Sequence, residues 1–413
     1  MDKESVYDVY NAELCVRCKG RGWCGKPCII LQKFRESMPK PKTHFSGSSP
    51  PEIFVGRNNY PNVNAGILAP QYYGKTEEYG MPELWFEKKL SIEQILSYRG
   101  NLIYSRFKTR VKDARQDKKF LSVMQEISLA SKPVASEFWL KKPAKFSISP
   151  LPQLPVIGNP APLKYVRLEE NPKVERKVDY LVSDTDNKAA ESIKELYKSR
   201  IEISNIIKLL SAGLLGLKTK RKLVPTRWSV TATDDIISKD LLEKIRYYKE
   251  ISEIMVFHSE YIGNHYEFLL LPDFFSFEVI EAKIPGSVWN PSGNLYFAID
   301  YEGFGGRKDY ASNVTGAYYV NRLALCEYLE RIKRQAACLV IRECRPEYYA
   351  PCGVGVLREV SRDAFKKKPE IFSTIEDAFK SMQERLTLPV SFFKEKSWLL
   401  KIYKKQRRLS EFG

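Results

Sequence analysis

Four cysteines near the start of the chain are the residues best suited to chemistry. Cys15, Cys18, Cys24 and Cys28 follow the pattern C-x2-C-x5-C-x3-C. Two close pairs on short turns can bring four thiolates to one tetrahedral ion, and closed four-cysteine sets are typical of structural zinc. An iron–sulfur cluster is the alternative cofactor, because four thiolates also hold such clusters. The spacing therefore predicts a small metal-binding module, with Zn²⁺ as its first candidate.

A second group of residues could bind a phosphate. The segment FSGSSPPEIFVGR places small residues and hydroxyls ahead of an arginine, and exposed N–H groups, hydroxyls and a guanidinium together suit a phosphate. It is not a P-loop, because the GxxxxGK[ST] pattern is absent from it, and an ordered loop over the core is the alternative. Arginines in VPTRWS and in the glycine-rich EGFGGR extend the set. The candidate phosphate- or nucleotide-binding residues are Ser46, Ser48, Ser49, Arg57, Arg227 and Arg307.

Four titratable residues are candidates for catalysis: Asp234, Asp235, His265 and Glu302. The adjacent aspartates could hold a divalent cation in a second site or act as acid and base, whereas at a helix start they would be caps. His265 is one of only three histidines, and a structural role is its alternative. Glu302 precedes a glycine-rich loop that either admits a ligand or forms a wide hairpin turn. A site built from these residues would indicate a nuclease or phosphodiesterase.

The charge balance favours a polyanionic partner. The chain has 67 Lys and Arg against 50 Asp and Glu, a formal net charge of +17. Such an excess favours a polyanionic partner through phosphate neutralisation and counterion release, although solubility alone would also explain it. No apolar stretch reaches the ~20 residues of a membrane span, and the first residues, MDKESVYDVY, lack the apolar region of a signal peptide. We therefore expect a cytoplasmic protein without a membrane partner.

The elements that must position these residues predict a mixed α+β fold. Short runs rich in aromatic and β-branched residues, from EIMVFHSEY to LYFAIDYEG and then ACLVIREC, predict one large, mostly antiparallel sheet with flanking helices. Gly263-Asn264 between the first two runs predicts a tight turn. Apolar residues at helical spacing predict helices around Ile92–Tyr104, Lys118–Ala130, Asn187–Ala212 and Gly316–Arg334.

The sequence divides into three expected parts. The four-cysteine module occupies residues 1–40, the α+β core residues 41–390, and a last helix with a free tail residues 391–413. Ser373-x-x-Glu376 predicts a capping box that opens a helix near the end of the core. The last helix is expected to run from about Ser391 toward Arg408.

Several separated motifs resemble one known family. The four-cysteine set, SGSSPP…FVGR..YP, PTRWS.TA.DD and EGFGGR…Y..N are similar, in this order, to the archaeal Nre family of DNA repair proteins, and the resemblance spans the chain from Cys15 to Phe412. It implies an archaeal cytoplasmic protein, associated with the nucleoid, that acts in DNA damage repair alongside other repair proteins. It also implies a C-terminal motif that binds the sliding clamp, PCNA.

The C-terminal sequence KKQRRLSEFG carries the implied clamp-binding motif. Gln406, Leu409 and Phe412 match the pattern Q-x-x-aliphatic-x-x-aromatic-aromatic. A short helical turn would put Leu409 and Phe412 on one side as anchors, with Gln406 at the edge of the pocket. The second aromatic of the pattern is Gly413 here, so one hydrophobic anchor is missing and we expect a modest affinity. A frayed helix end is the alternative.

Overall fold

The computed structural model describes most of the chain between residues 29 and 403. The described residues are 29–146, 154–285, 287, 290 and 294–403. The predicted metal ligands and the predicted clamp-binding residues lie outside these ranges: Cys15, Cys18, Cys24, Cys28, Gln406, Leu409 and Phe412.

The described chain forms two compact units. The N-terminal unit comprises residues 29–237 and 350–355, and the C-terminal unit comprises residues 238–349 and 356–403. Each unit contains its own six-stranded sheet.

The N-terminal unit is built on a six-stranded sheet. Its strands are β1 (His44–Ser49), β2 (Ile53–Val55), β3 (Asn62–Ala69), β4 (Ile103–Arg110), β5 (Val134–Leu140) and β6 (Asn159–Leu168). Buried and partly exposed residues alternate along β1 and β2, as strands with one face on the core require. The order is β1-β5-β6-β4-β3-β2. Strands β4 and β6 pair in parallel, and the other neighbours pair antiparallel.

Helices and short 3₁₀ turns complete this unit. The helices that lie or begin in it are α1 (Ile29–Glu36), α2 (Pro82–Glu87), α3 (Ile92–Asn101), α4 (Lys119–Leu129), α5 (Arg176–Ser183), α6 (Ala189–Lys198), α7 (Ile203–Ser211) and α8 (Thr226–Ile245). The 3₁₀ turns are Glu77–Tyr79, Val111–Arg115 and Lys218–Lys220. The single helix predicted over Asn187–Ala212 is wrong, because α6 and α7 are separated at Arg200, whose φ of 63° is incompatible with a right-handed helix.

The C-terminal unit contains a second six-stranded sheet. Its strands are β7 (Ile254–Tyr261), β8 (Asn264–Leu271), β9 (Ser276–Lys283), β10 (Tyr296–Glu302), β11 (Ala337–Cys344) and β12 (Glu370–Phe372). They lie in the order β10-β9-β11-β8-β7-β12, with β9 and β11 parallel. Every residue of β8 and β11 is buried, because these central strands are covered on both faces.

The predicted turn between β7 and β8 is confirmed. Ile262 and Gly263 have φ values of 43° and 73°, and two consecutive positive φ angles give the twist that joins adjacent antiparallel strands. A Cβ on Gly263 would lie 2.4 Å from the backbone nitrogen of Tyr348. Glycine is therefore required here by both backbone conformation and space.

The helices of the C-terminal unit pack on this sheet and correct two predictions. They are α9 (Gly316–Ile332), α10 (Val354–Ala364), α11 (Ile375–Gln383), α12 (Val390–Lys396) and α13 (Trp398–Ile402). The cap of α11 is Thr374, whose Oγ1 accepts a hydrogen bond from Asp377 N at 3.1 Å, one residue later than the predicted capping box. The predicted last helix is interrupted, because the buried carboxylate of Glu278 accepts hydrogen bonds from Trp398 N at 2.8 Å and Leu399 N at 3.0 Å and starts a new helix.

The α+β class is confirmed, but the single large sheet is wrong. The strands of the N-terminal unit include HFSGSS and IYSRFKTR, where small and charged residues weaken the strand signal. These strands form a sheet of their own. Among the residues that the structure describes, we find no helix with both the length and the apolar character of a membrane span.

His265 on β8 lies between two carboxylates. Its Nδ1 is 3.1 Å from Glu260 Oε2 and its Nε2 is 2.8 Å from Glu267 Oε1. Glu267 is also bound by two nitrogens of Arg385, at 2.8 and 3.0 Å. Burial by itself lowers the pKa of His265, but the two carboxylate hydrogen bonds outweigh it and the net pKa is raised. His265 therefore links β7 to β8, and through Glu267 to Arg385, and the raised pKa shows that these contacts favour its protonated form.

We expect this histidine to make the stability of the C-terminal unit depend on pH. Because its folded-state pKa is raised, His265 stabilises the unit fully below the unfolded pKa of ~6.5, and the effect is lost as pH rises through the folded pKa. The difference in free energy of unfolding between wild type and His265→Gln should be largest at acidic pH and should shrink at alkaline pH. Urea denaturation of both proteins across this pH range measures the difference.

His258→Gln is the matched control. Burial lowers the pKa of His258, so the folded state disfavours the charged imidazole. His258→Gln should therefore increase the free energy of unfolding, and most strongly at acidic pH. A constant difference between wild type and His265→Gln across the pH range would contradict the role assigned to His265.

Candidate functional site

A cavity of about 240 Å³ in the N-terminal unit gathers separated segments of the chain. We call it the arginine cavity. It is lined by Phe54, Val55, Gly56, Arg57, Asn58, Asn64, Tyr104, Arg106, Leu154, Ile157, Gly158, Pro160, Pro225 and Arg227. These residues come from the β2–β3 hairpin, β4, the segment entering β6 and the start of α8.

Three arginines from three of these segments give the cavity its charge. Arg57 follows β2, Arg106 lies on β4 and Arg227 lies in the first turn of α8. Arg57 and Arg106 are exposed, and within the described part of the chain neither forms an ion pair. Several cations around one concave surface repel one another until an anion binds between them. Guanidinium groups favour phosphate and carboxylate oxygens, which they bind in bidentate fashion.

The inner wall of the cavity is apolar and aromatic. The rings of Phe54 and Tyr104 meet edge to face, with centroids 5.4 Å apart. The Tyr104 hydroxyl lies 3.3 Å from Phe54 O and 3.2 Å from Asn64 O, so its one proton is shared between two strand carbonyls. Burial raises the pKa of Tyr104 well above its ordinary value, which keeps this hydroxyl neutral. The cavity therefore combines an uncharged wall with a cationic rim.

A buried arginine outside the lining fixes one side of the cavity. Arg99 on α3 is 1% exposed. Its Nε donates to Val156 O at 2.6 Å and its Nη2 to Ile157 O at 3.0 Å. Its Nη1 lies 2.5 Å from Glu52 Oε2 and 2.6 Å from Tyr79 O. The segment that carries Ile157 into the cavity is thus held by a buried guanidinium, and breaking these contacts would cost free energy because the charge would be left buried without partners.

Gly158 lets this segment turn into β6. Its φ is 121°, and a Cβ there would lie 2.8 Å from Leu102 O. An L-residue with a side chain would be strained and would clash with backbone. The close approach to Leu102 places Pro160 beside Tyr104, its partner in the parallel β4–β6 pair.

A hydrogen bond joins the hairpin to helix α8. Val55 N donates to Thr226 Oγ1 at 3.0 Å. Thr226 is the first residue of α8 and precedes Arg227, while Val55 ends β2 two residues before Arg57. This bond therefore couples the positions of two arginines that are far apart in the sequence.

Strand alternation extends the positive charge beyond the cavity. Arg106, Lys108 and Arg110 alternate along β4 and are all exposed, and residues two apart on a strand share a face. We call these three residues the basic strand face. Opposite them on β3 lie Gly66, Asn64 and Asn62, which add no negative charge. The result is a line of cations that starts in the arginine cavity.

The structure brings together only part of the predicted phosphate-binding set. Arg57 and Arg227 line the arginine cavity. Ser46, Ser48 and Ser49 instead lie in β1, where Ser46 Oγ lies 3.3 Å from Glu169 and Ser48 Oγ accepts from Gly74 N at 3.0 Å. Sequence reasoning missed Arg106, although the alternating basic residues of IYSRFKTR were the signal that could have found it.

Arg307 and Glu302 have structural partners in the C-terminal unit. Arg307 forms an ion pair with Asp300 at 2.9 Å and donates to the carbonyls of Tyr301 and Asp309 at 3.1 and 2.9 Å. Glu302 is buried, and its two oxygens lie 3.1 and 3.2 Å from Arg322 Nη1. The glycine-rich stretch is therefore a loop in which Arg307 binds carbonyl groups of the same loop.

The remaining catalytic candidates lie on separate elements of secondary structure. Asp234 and Asp235 lie in the interior of α8, with Asp234 fully buried, so the helix-cap interpretation of this pair is wrong. His265 is held between Glu260 and Glu267. Across the described residues, no group of three or more His, Cys, Asp or Glu side chains is arranged to hold a metal ion.

Two family models together match nearly the whole chain. Residues 23–290 match the model described as "Archaeal Nre, N-terminal", and residues 302–412 match "Archaeal Nre, C-terminal". The two matches follow one another without overlap and include the arginine cavity.

Curated relatives are similar over most of their length. "DNA repair protein NreB" of Archaeoglobus fulgidus is 38% identical over 96% of this chain and 99% of the relative. "DNA repair protein NreA" of the same organism is 36% identical over 97% and 98%. "DNA repair protein NreA" of Haloferax volcanii is 34% identical over 85% of each chain. No solved structure is significantly similar to this chain.

We expect Arg99→Met to destabilise the N-terminal unit strongly. The variant leaves Glu52 without its cation and removes the donors to Val156 and Ile157, and breaking a buried pair typically costs about 3–5 kcal/mol. Urea denaturation measures the loss. The exposed Arg176 of α5 gives the control Arg176→Met, for which a change within about 0.5 kcal/mol is expected. Equal effects of the two variants would contradict the role of Arg99.

Proposed function

The chain belongs to the archaeal Nre family, and we propose that it is a DNA repair protein that binds DNA at the arginine cavity. The observation that carries the proposal is the convergence of Arg57, Arg106 and Arg227 from three segments on one concave surface. The relatives named as DNA repair proteins support the repair role. The net charge of +17 supports a polyanionic partner.

The proposed DNA contact uses phosphate groups first. The basic strand face continues the charge of the arginine cavity along β4 with Lys108 and Arg110. Lysine and arginine neutralise phosphates and release their counterions, which favours binding and makes it sensitive to salt. Phosphate contacts of this kind position a protein on DNA without reading sequence.

Recruitment through the tail is a separate part of the proposal. Gln406, Leu409 and Phe412 would bind the sliding clamp PCNA, and this rests on the sequence pattern alone. Helix α13 ends at Ile402, close in sequence to the motif, so a bound clamp would be tethered by a short linker. The clamp would raise the local concentration of the protein on DNA.

The four-cysteine set would hold a structural ion. Cys15, Cys18, Cys24 and Cys28 keep the spacing of a closed tetrahedral site, and zinc would stabilise the fold of residues 1–40 without taking part in a reaction. The division into this module, the core and the tail belongs to the same proposal.

A nuclease or phosphodiesterase activity stays a prediction, and among the described residues no group of three or more His, Cys, Asp or Glu side chains is arranged to hold a metal ion for it. Asp234 and Asp235 lie inside a helix, and His265 and Glu302 are paired with structural partners. No observation therefore favours the enzyme over a DNA-binding factor.

Substitution of the three cavity arginines should weaken DNA binding. For the variant with Arg57, Arg106 and Arg227 all changed to Gln, we expect lower affinity and a salt dependence whose slope falls by about one unit for each phosphate that is no longer neutralised. Fluorescence anisotropy of a labelled oligonucleotide, repeated across salt concentrations, gives both quantities. Arg176→Gln removes the same charge from the exposed surface of α5 and is the matched control. Unchanged affinity in the triple variant would overturn the proposed DNA contact.

Deletion of residues 406–413 should abolish clamp binding and leave the rest of the protein folded. The deletion removes all three proposed contact residues, whereas the helices up to Ile402 are retained. Calorimetric titration against PCNA measures the affinity, and circular dichroism checks the fold. Leu409→Ala with Phe412→Ala should reproduce the loss of binding, because these two side chains are the hydrophobic anchors. Wild-type affinity in the deleted protein would rule the tail out as the clamp-binding element.

A further inference from the structure

Two exposed aromatic residues in the N-terminal unit contact each other beside the arginine cavity. Tyr60 is 49% exposed and Trp228 is 43% exposed. Their ring centroids are 5.2 Å apart, with the planes tilted by 56°. We call Tyr60 and Trp228 the aromatic pair. Large aromatic side chains grouped on a surface commonly mark a binding site.

The aromatic pair adjoins the cationic residues on both sides. Trp228 directly follows Arg227 on α8, and Tyr60 N donates to Arg57 O at 3.2 Å in the hairpin loop. The residue after Pro61 is Asn62, which pairs with Arg110 at the far end of the basic strand face. Val111 N donates to Pro61 O at 3.0 Å and fixes the loop there. Aromatic rings and cations therefore alternate along one surface.

The size of the arginine cavity limits what can enter it. Its volume of about 240 Å³ is below the roughly 300–1,000 Å³ of sites for drug-sized ligands. One nucleobase with part of its sugar suits this space, and its flat apolar face suits the wall formed by Phe54 and Tyr104. The stacked bases of a duplex cannot enter, since each base must first leave its helix.

The basic strand face has a spacing that suits an extended nucleic-acid strand. Cations on alternate residues of a β-strand are roughly 6.7 Å apart, a repeat that can follow the successive phosphates of an extended single strand. Arg106, at one end of the basic strand face, also lines the cavity, and Arg110 lies at the other end near Tyr60. Phosphates on this line would hold the bases over the aromatic pair.

We infer that this surface binds single-stranded DNA, with one unpaired nucleotide in the arginine cavity and a neighbouring base stacked on the aromatic pair. The inference rests on the proposed DNA contact and specifies the form of DNA that is bound. Aromatic side chains and a positively charged groove are the two parts that proteins combine to bind single strands without reading sequence. Duplex DNA offers phosphates to the arginines but no free base face to Tyr60 and Trp228.

Three probes of matched length separate stacking from charge. These are an oligothymidylate of about 12 nucleotides, an abasic strand with the same phosphates, and a duplex of the same length. We expect the full-length protein to bind the oligothymidylate at least about fivefold more tightly than the abasic strand, as the stacking of one base predicts. We also expect Trp228 fluorescence to be quenched by the oligothymidylate, because the stacked base contacts this exposed ring.

Variants of the aromatic pair test the assignment. Trp228→Ala and Tyr60→Ala should each lower the affinity ratio between oligothymidylate and abasic strand by several-fold, because each weakens the stacking of one base and leaves the cavity contact in place. Trp228→Phe should keep most of the ratio and abolish the quenching, which identifies the responding ring. Tyr180 on α5 is 60% exposed and does not line the cavity, so Tyr180→Ala is the control and should leave the ratio unchanged. A thermal melt of each variant confirms folding.

The outcomes that contradict the inference are distinguishable from one another. Equal affinity of the wild-type protein for the oligothymidylate and the abasic strand overturns the single-strand inference, even where the triple arginine variant still binds DNA more weakly. Tighter binding of duplex than of oligothymidylate overturns it as well. A ratio near one in Tyr180→Ala would show that the aromatic pair is not the stacking surface. An unchanged triple arginine variant overturns the proposed function itself.

Discussion

The buried guanidinium of Arg99 is the interaction on which the candidate site depends. It is 1% exposed and binds Glu52 and three backbone carbonyls, two of them in the segment that forms one wall of the cavity. A buried cation without partners is costly, so the structure around it is fixed as a set. Arg99 therefore fixes the position of the wall at Ile157 relative to helix α3.

The C-terminal unit uses buried carboxylates for the same purpose. Glu278 starts α13 by accepting from backbone N–H groups, and Glu302 is held by Arg322. Asp300 accepts from Asn313 N and Val314 N at 2.9 and 2.7 Å, which closes the glycine-rich loop. The buried carboxylates of this unit thus bind a helix start, a loop and a buried arginine, because a buried carboxylate requires several donors.

Two of the cavity arginines have no acidic partner within the described residues. Arg57 and Arg106 form no ion pair within the described chain, and Lys108 and Arg110 are exposed along the same strand. In Arg307, by contrast, the guanidinium is engaged by Asp300 and by loop carbonyls. The distinction between a structural and a binding arginine is a matter of which acceptors surround it, and the acceptors come from distant parts of the chain.

The sequence by itself determined the α+β class, the strands between Ile254 and Glu302, the family, and Arg57 and Arg227 as candidates. Periodicity and turn residues report local geometry, so these features could be read from short segments. Only the tertiary structure decided that the strands form two sheets, that Arg106 lines the cavity and that Glu302 pairs with the buried Arg322. Each of these depends on contacts between residues far apart in the chain, which no local pattern encodes.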